Sequence, residues 1–231
     1  MKIMTFNTQH CLNYMENRID YNLMAKTISD TGADLVGLNE MFDEGGKFGP
    51  QTKILSELTG LENYYFARAI MDAAGPYGNG LLSRFPLKRV ETIMVPDPEV
   101  RRFKDGFYET RCILKATLEN GLTVLITHFG LNADEQESSV KLLLEHITDE
   151  KCVLMGDFNL PPDSEILKPI YERMVDTASM FDGPRLSWPS DKPRIKIDYI
   201  FVSKDIKIIS ADIPMTVASD HLPHIAEIEM I

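Results

Sequence analysis

The sequence predicts an α/β (α+β) fold in which two mixed β-sheets pack on one another with helices outside. Three observations lead there. Short apolar strand patterns outnumber helical ones, hairpin signals alternate with helical crossovers, and polar residues stand at the ends of apolar runs. A doubly wound parallel sheet needs more helices than the chain offers.

Residues 2–8 read as the first strand. Ile19, Leu23, Met24 and Ile28 then recur at helical spacing, with Gly32 placed as a C-cap. Residues 33–38 form the next strand pattern, ending at Asn39-Glu40, and residues 51–59 a short helix closed by Gly60. Strand patterns follow at 64–69, 80–83 and 90–95, separated by Gly or Pro. Residues 111–118 and 122–127 flank Glu119-Asn120-Gly121, and Asn-Gly between two strand runs is a strong hairpin signal. The helix at 134–147 places Val140, Leu143, Leu144 and Ile147 on one face. Residues 152–155 make a buried strand that runs into Gly156-Asp157-Phe158-Asn159, and strands at 195–202, 206–213 and 223–230 complete the set. No repeat, low-complexity run or Gly/Ser linker interrupts the pattern, so residues 1–231 read as one domain.

Composition narrows the function. With 44% hydrophobic and 26% charged residues, the 231-residue chain is an ordinary globular one, excluding disordered, collagen-like and coiled-coil classes. No stretch approaches the roughly 18 apolar residues of a membrane span, and the N-terminus lacks the apolar core of a signal peptide. Cys11, Cys112 and Cys152 are odd in number and far apart, which fits a reducing compartment; the expectation is a cytoplasmic protein. A net charge of −11 argues against a tight duplex nucleic-acid binder, which grips phosphates with a basic face.

The chemistry lies at strand ends. Asn7 and Glu40 end the first two strands, His128 follows an apolar run, and Asp157 and Asn159 follow another. Asp198 interrupts the 195–202 strand pattern, and Ser219-Asp220-His221 precedes the last strand. Each such group costs desolvation unless it is paired or coordinated. Hard oxygens from Glu40, Asp157, Asp220, Asn7 and Asn159 suit Mg²⁺ or Mn²⁺, whereas Zn²⁺ would want more His or Cys.

The ordered set Thr5-Phe6-Asn7, Leu38-Asn39-Glu40, Asn79-Gly80-Leu81-Leu82-Ser83-Arg84, Thr127-His128, Gly156-Asp157-Phe158-Asn159, Ile197-Asp198-Tyr199-Ile200 and Ser219-Asp220-His221 resembles the endonuclease/exonuclease/phosphatase (DNase I-like) superfamily. The resemblance implies a four-layer α/β sandwich and metal-dependent hydrolysis of phosphodiesters or phosphomonoesters. It implies Glu40 as principal metal ligand, helped by Asn7 and Asp220. Asp157 and Asn159 would orient the attacking water and hold the phosphate, with Asn79 nearby. His221 would be general base or phosphate stabiliser, fixed by Asp198, and His128 the second histidine. Gln9 stands where some members carry a second metal-binding acid, which favours one metal. Asn39 replaces the usual Gln, and Lys196 an Arg. Glu109 is the candidate acidic partner for His128.

These readings converge on a Mg²⁺- or Mn²⁺-dependent phosphoesterase acting on a small or exposed phosphate ester. The alternatives are a nuclease and a non-catalytic phosphate-binding scaffold. His10, His146 and His224 belong to no motif, and His10 reads as packing. The basic loop Arg101-Arg102-Phe103-Lys104 reads as solvated, and Leu186-Ser187-Trp188-Pro189 as either a wall of the site or a pinned loop.

Overall fold

Residues 1–103 and 105–230 are described by a computed structural model; Lys104 of the basic loop lies outside them. The strands are β1 (Lys2–Asn7), β2 (Leu12–Asn13), β3 (Arg18–Ile19), β4 (Leu35–Phe42), β5 (Asn63–Asp72), β6 (Gly75–Ser83) and β7 (Leu87–Met94). They continue as β8 (Cys112–Leu118), β9 (Thr123–His128), β10 (Cys152–Asp157), β11 (Val175–Asp176), β12 (Asp198–Val202), β13 (Ile206–Asp212) and β14 (His224–Met230). The helices are α1 (Tyr21–Thr31), α2 (Gln51–Thr59), α3 (Ala133–His146) and α4 (Lys168–Arg173).

Two six-stranded mixed sheets carry the fold, in the orders β13-β14-β1-β4-β6-β5 and β11-β12-β10-β9-β8-β7. Their facing sides share one core, in which Ile3, Leu35 and Leu81 meet Leu114, Val124, Val153 and Ile200. The outer face of the first sheet packs Met4, Phe6 and Val36 against Met24 and Ile28 of α1 and Leu55 of α2. The outer face of the second packs Leu125, Leu154 and Phe201 against Val140 and Leu143 of α3 and Ile170 of α4. Neighbours such as Ile3/Met4 and Val153/Leu154 thus serve opposite faces, because side chains alternate along a strand. Burial on both faces explains why these strands read as continuous apolar runs. The expected four-layer sandwich is the observed architecture.

Local signals set the helix ends. The Asp20 carboxylate accepts the Leu23 N–H at 3.0 Å to cap α1, which stops at Gly32 with φ +66°. Gly60, at φ +70°, ends α2 as expected. Gly156 is required by its surroundings: at φ +145°, a Cβ there would lie 1.8 Å from the Thr127 carbonyl oxygen. Only glycine lets β10 close on β9 immediately before Asp157.

Several boundaries differ from expectation. Ile19 lies in β3 rather than in a helix, though it packs on the same cluster as α1. Strand β4 runs through Asn39-Glu40 to Phe42, because a bulge absorbs the polar pair without ending the ladder. β12 begins at Asp198; of the residues before it, Ile195 forms only a bridge to Trp188. β2, β3, β11 and α4 are too short to show a period in the sequence.

Candidate active site

Register brings the polar strand ends to one edge of the sandwich. Asn7 is paired with Asn39 between parallel β1 and β4, and Asp157 of β10 lies opposite both His128 of β9 and Asp198 of β12. The segment before β14 adds Asp220 and His221. Strain concentrates here. Glu40 in the β4 bulge has φ +61°, Asn159 has φ +50°, and Gln9, His10 and Cys11 form a left-handed run at +46°, +48° and +62°. Each such non-glycine residue costs about 1–3 kcal/mol, a cost borne where side chains must be re-aimed.

A web of amides ties the two sheets together. Asn7 Nδ2 donates at 3.0 Å to both Glu40 Oε1 and Asp157 Oδ2, while Asn7 Oδ1 accepts the Gln9 N–H at 3.1 Å. Carboxylates only accept, so the NH₂ end must face them. Asn39 Nδ2 donates to the Thr127 carbonyl at 2.9 Å and to Asn79 Oδ1 at 2.8 Å, and its Oδ1 accepts the Asp157 N–H at 3.0 Å. Asn79 Nδ2 donates to the Cys112 carbonyl at 3.0 Å. Asn79 is therefore buried and spent on bracing Asn39 rather than standing open to a phosphate. Asp157 Oδ1 accepts the Asn159 N–H at 2.9 Å, and Asn159 Nδ2 donates to the Phe129 carbonyl at 3.0 Å.

Two histidines face Asp157. The Nε2 atoms of His128 and His221 each lie 3.6 Å from Asp157 Oδ2, beyond hydrogen-bonding distance. His221 Nδ1 donates to Asp198 Oδ2 at 2.9 Å. Burial alone would lower the pKa of His221; Asp198, Asp157 and Asp220 outweigh it and hold the ring protonated. The Asp157 carboxyl is pushed up, first by burial and then by Asp198, against the opposing pull of His221. Glu40 is also raised, by burial and by Asp220, with Asn7 opposing.

His128 has a different partner from the expected one. Glu109 does not reach it; the residue on His128 Nδ1 is Arg111, whose Nη1 lies 3.1 Å away. The same Nη1 sits 2.6 Å from Glu109 Oε1, an ion pair. Burial, Arg111 and His221 together hold the His128 pKa well below its ordinary value.

The donor chemistry fits a hard divalent cation. Glu40 and Asp220 are partly exposed carboxylates, and burial plus mutual repulsion raises Glu40, which a cation would relieve. Asp157, Asp198 and His221 also offer ligand atoms within 4.8 Å of one another. Within that trio, however, the Asp198–His221 hydrogen bond already occupies Nδ1.

Three supports act on the site residues, of which the Ser187 and His224 bonds were not signalled by the sequence, while the loop around Trp188 was read there as either a wall or a pinned loop. Ser187 Oγ accepts the Ile197 and Asp198 N–H groups at 3.1 and 3.3 Å. The Ser190 N–H donates to the Asp220 carbonyl at 2.7 Å, so the loop around Trp188 is pinned under the site residues. His224 donates from Nδ1 to the Asp198 carbonyl at 3.3 Å, and its Nε2 accepts from Thr177 Oγ1 at 3.0 Å. His10 stacks on Phe48 at 5.3 Å, the packing role expected of it. Arg101, Arg102 and Phe103 of the basic loop are exposed, as expected, with Arg101 lying over the Tyr108 ring and Arg102 paired with Glu137. Among the described residues, no helix is long and apolar enough to cross a membrane.

Known proteins resemble this chain in sequence and fold. YbhP of Escherichia coli strain K12, an uncharacterized protein, is 22% identical over 249 residues, covering 99% of this chain and 96% of YbhP. A crystal structure of an endonuclease/exonuclease/phosphatase from Beutenbergia cavernae superposes with a TM-score of 0.78 at 20% identity, covering all of this chain and 71% of that one. A mannosyl-6-phosphatase of Bacteroides thetaiotaomicron superposes with a TM-score of 0.79 at 16% identity, covering 100% of both chains. The sequence profile of the Endonuclease/Exonuclease/phosphatase family matches residues 4–221, and with that match over the two-sheet sandwich, the chain belongs to this family of hydrolases.

Proposed function

We propose that the protein, acting as a single cytoplasmic domain, is a Mg²⁺- or Mn²⁺-dependent phosphoesterase. It hydrolyses a small or exposed phosphate ester by in-line attack of water. The observation that carries this reading is the convergence of His128 Nε2 and His221 Nε2 on Asp157 Oδ2, 3.6 Å from each, beside the Asn7 bridge to Glu40.

Glu40 and Asp220 would hold the cation, with Asn7, whose Oδ1 keeps one lone pair beyond the Gln9 N–H, as their amide neighbour. A hard divalent cation supplies Lewis-acid polarisation of the phosphoryl group. Asp157, raised toward the operating range, is the group placed to accept the proton of the attacking water. His221, held cationic by Asp198, donates from Nε2 to the phosphoryl oxygens, and His128 flanks them from the other side. Asn159, oriented by its Phe129 bond, keeps a second Nδ2 hydrogen to donate to the phosphate and an amide oxygen to accept from the attacking water. No covalent enzyme intermediate is invoked: the hydroxyl beside a carboxylate at this edge, Ser219, is fully buried and donates to Asp220 Oδ1 at 3.1 Å.

A small substrate is favoured over duplex DNA by the net charge of −11 and by arginines already engaged within the chain. The structural neighbour named a mannosyl-6-phosphatase supports the same side. The test is a hydrolysis panel of a phosphomonoester reporter, a phosphodiester reporter, a choline-phosphate lipid and plasmid DNA, with Mg²⁺, Mn²⁺ and EDTA arms. Metal-dependent cleavage of one class, absent in Asp157→Ala, is the expected result. Plasmid as the sole substrate would move the reading to a nuclease. Silence without metal-dependent thermal stabilisation would leave the phosphate-binding scaffold.

A further inference from the structure

A guanidinium has only donors, and it stays charged throughout the accessible pH range. When Arg111 Nη1 sits 3.1 Å from His128 Nδ1, that nitrogen must be the acceptor, so it carries no proton. The ring proton is then on Nε2, the atom that faces Asp157 Oδ2. Every charged group packed around the ring acts in the same sense or stands back from it. Arg111 approaches from the residue before β8 and His221, a cation, from the segment before β14, and both oppose a second proton. Asp157 of β10 favours one but lies 3.6 Å away and is already bonded by Asn7 and Asn159. Glu109 is turned to Arg111. Arg111 itself is buried, with its Nε lacking a hydrogen-bond partner, so it is held beside His128 and not in a surface pair.

We propose that Arg111 is a positioning residue that locks His128 as the neutral Nε2–H tautomer, so that His128 gives the substrate phosphate a hydrogen bond and never a proton. An acid on Nδ1 would do the opposite. It would take the proton to Nδ1, favour the doubly protonated ring and make His128 a general acid toward the leaving group. The consequence for catalysis rests on the phosphoesterase reading above; the tautomer does not.

The decisive measurement is a long-range proton–nitrogen correlation spectrum of ¹⁵N-histidine-labelled protein without substrate, with His128→Gln assigning the resonance. The expected result is an unprotonated Nδ1 and a protonated Nε2, unchanged from about pH 8 down to about pH 5. A proton on Nδ1, or a ring that becomes doubly protonated near its ordinary pKa, would overturn the proposal. In Arg111→Glu the proton should move to Nδ1 and the ring should titrate in the neutral range. In Arg111→Lys, which keeps a cationic donor, the wild-type tautomer should persist. If Arg111→Glu does not fold, Arg111→Met serves: retention of a fixed Nε2–H tautomer there would also overturn the assignment to Arg111. The pH profile of turnover supplies the catalytic readout, with Arg111→Glu gaining an ionisation that wild type and Arg111→Lys lack. Failure of every hydrolysis assay without metal-dependent thermal stabilisation would sink the phosphoesterase reading and leave the tautomer of His128 as the spectrum shows it, and the reverse holds equally.

Discussion

His128 and His221 approach one carboxylate oxygen at the same distance, 3.6 Å, and are both buried, yet their surroundings give them opposite characters. On the far nitrogen of His221 stands Asp198, an acceptor, so the ring keeps its proton there and is held cationic. On the far nitrogen of His128 stands Arg111, a donor, and the ring is held neutral. The residue type is common to both; the partner behind each ring decides what it can do. Two cationic rings about one carboxylate would repel each other, whereas one cation and one neutral donor supply charge and direction without that conflict.

The largest effect that would break this contrast is on turnover. Asp157→Ala should lower kcat by about 10²–10⁴-fold while leaving the unfolding midpoint at or above wild type, because the lost carboxylate is buried and destabilised by burial and Asp198. A large loss of stability with activity retained would mean that Asp157 is structural.

Next comes stability at the two rings. His221→Ala leaves Asp198 buried with Oδ1 already lacking a partner, so urea unfolding should show a loss of about 3–5 kcal/mol. Adding Asp198→Asn should recover part of it; equal stability of the single and double variants would contradict the ion-pair account.

A sharper comparison uses glutamine, which mimics an Nε2–H donor but has no proton to give. His128→Gln should keep kcat within about tenfold of wild type, while His221→Gln should lose about 10²–10⁴-fold. Comparable losses at both positions would show that the two rings share one role.

The smallest effect is the pH dependence of stability, and its sign differs between the rings. His128 and His224 are held well below the ordinary value of 6.5, so below about pH 6.5 the unfolded chain binds the extra protons. Each then lowers stability by about 1.4 kcal/mol per pH unit as the solution is acidified. His221, raised by its carboxylates, contributes stability that is present below about 6.5 and lost as pH rises through its folded pKa. In His128→Gln the acid-side slope from these residues should fall by about one proton, with His224 supplying the remainder. An unchanged slope in chemical denaturation between about pH 5 and 6.5 would show that His128 is protonated in the folded protein.

Much of the fold was legible because apolar runs, glycine caps and the Asn-Gly turn are local signals. Gly32 and Gly60 end α1 and α2 where expected, and the 119–121 turn joins β8 to β9. The polar strand ends were legible for the same reason: Asn7, His128 and Asp157 interrupt patterns that packing would otherwise fill with apolar side chains. The roles of Asn39 and Asn79 were not. Their partners lie up to 118 residues away, as in the Asp157 N–H to Asn39 Oδ1 bond, and no periodicity encodes such a pairing. Nor was the bulge visible that holds Glu40 at φ +61°, since Leu38-Asn39-Glu40-Met41 does not reveal where the ladder slips.

By itself, then, the sequence determined the two-sheet sandwich and the chemical types gathered at one edge. Burial and alternation are written residue by residue along each strand. Tertiary structure decided which neighbour each polar group would meet. Glu109 and Arg111 stand two residues apart before β8, and by position either could serve His128; only the folded chain sets Arg111 on Nδ1 and leaves Glu109 behind it. A hydrogen bond depends on approach through space and on which end of a side chain donates, and neither is carried by position along the chain.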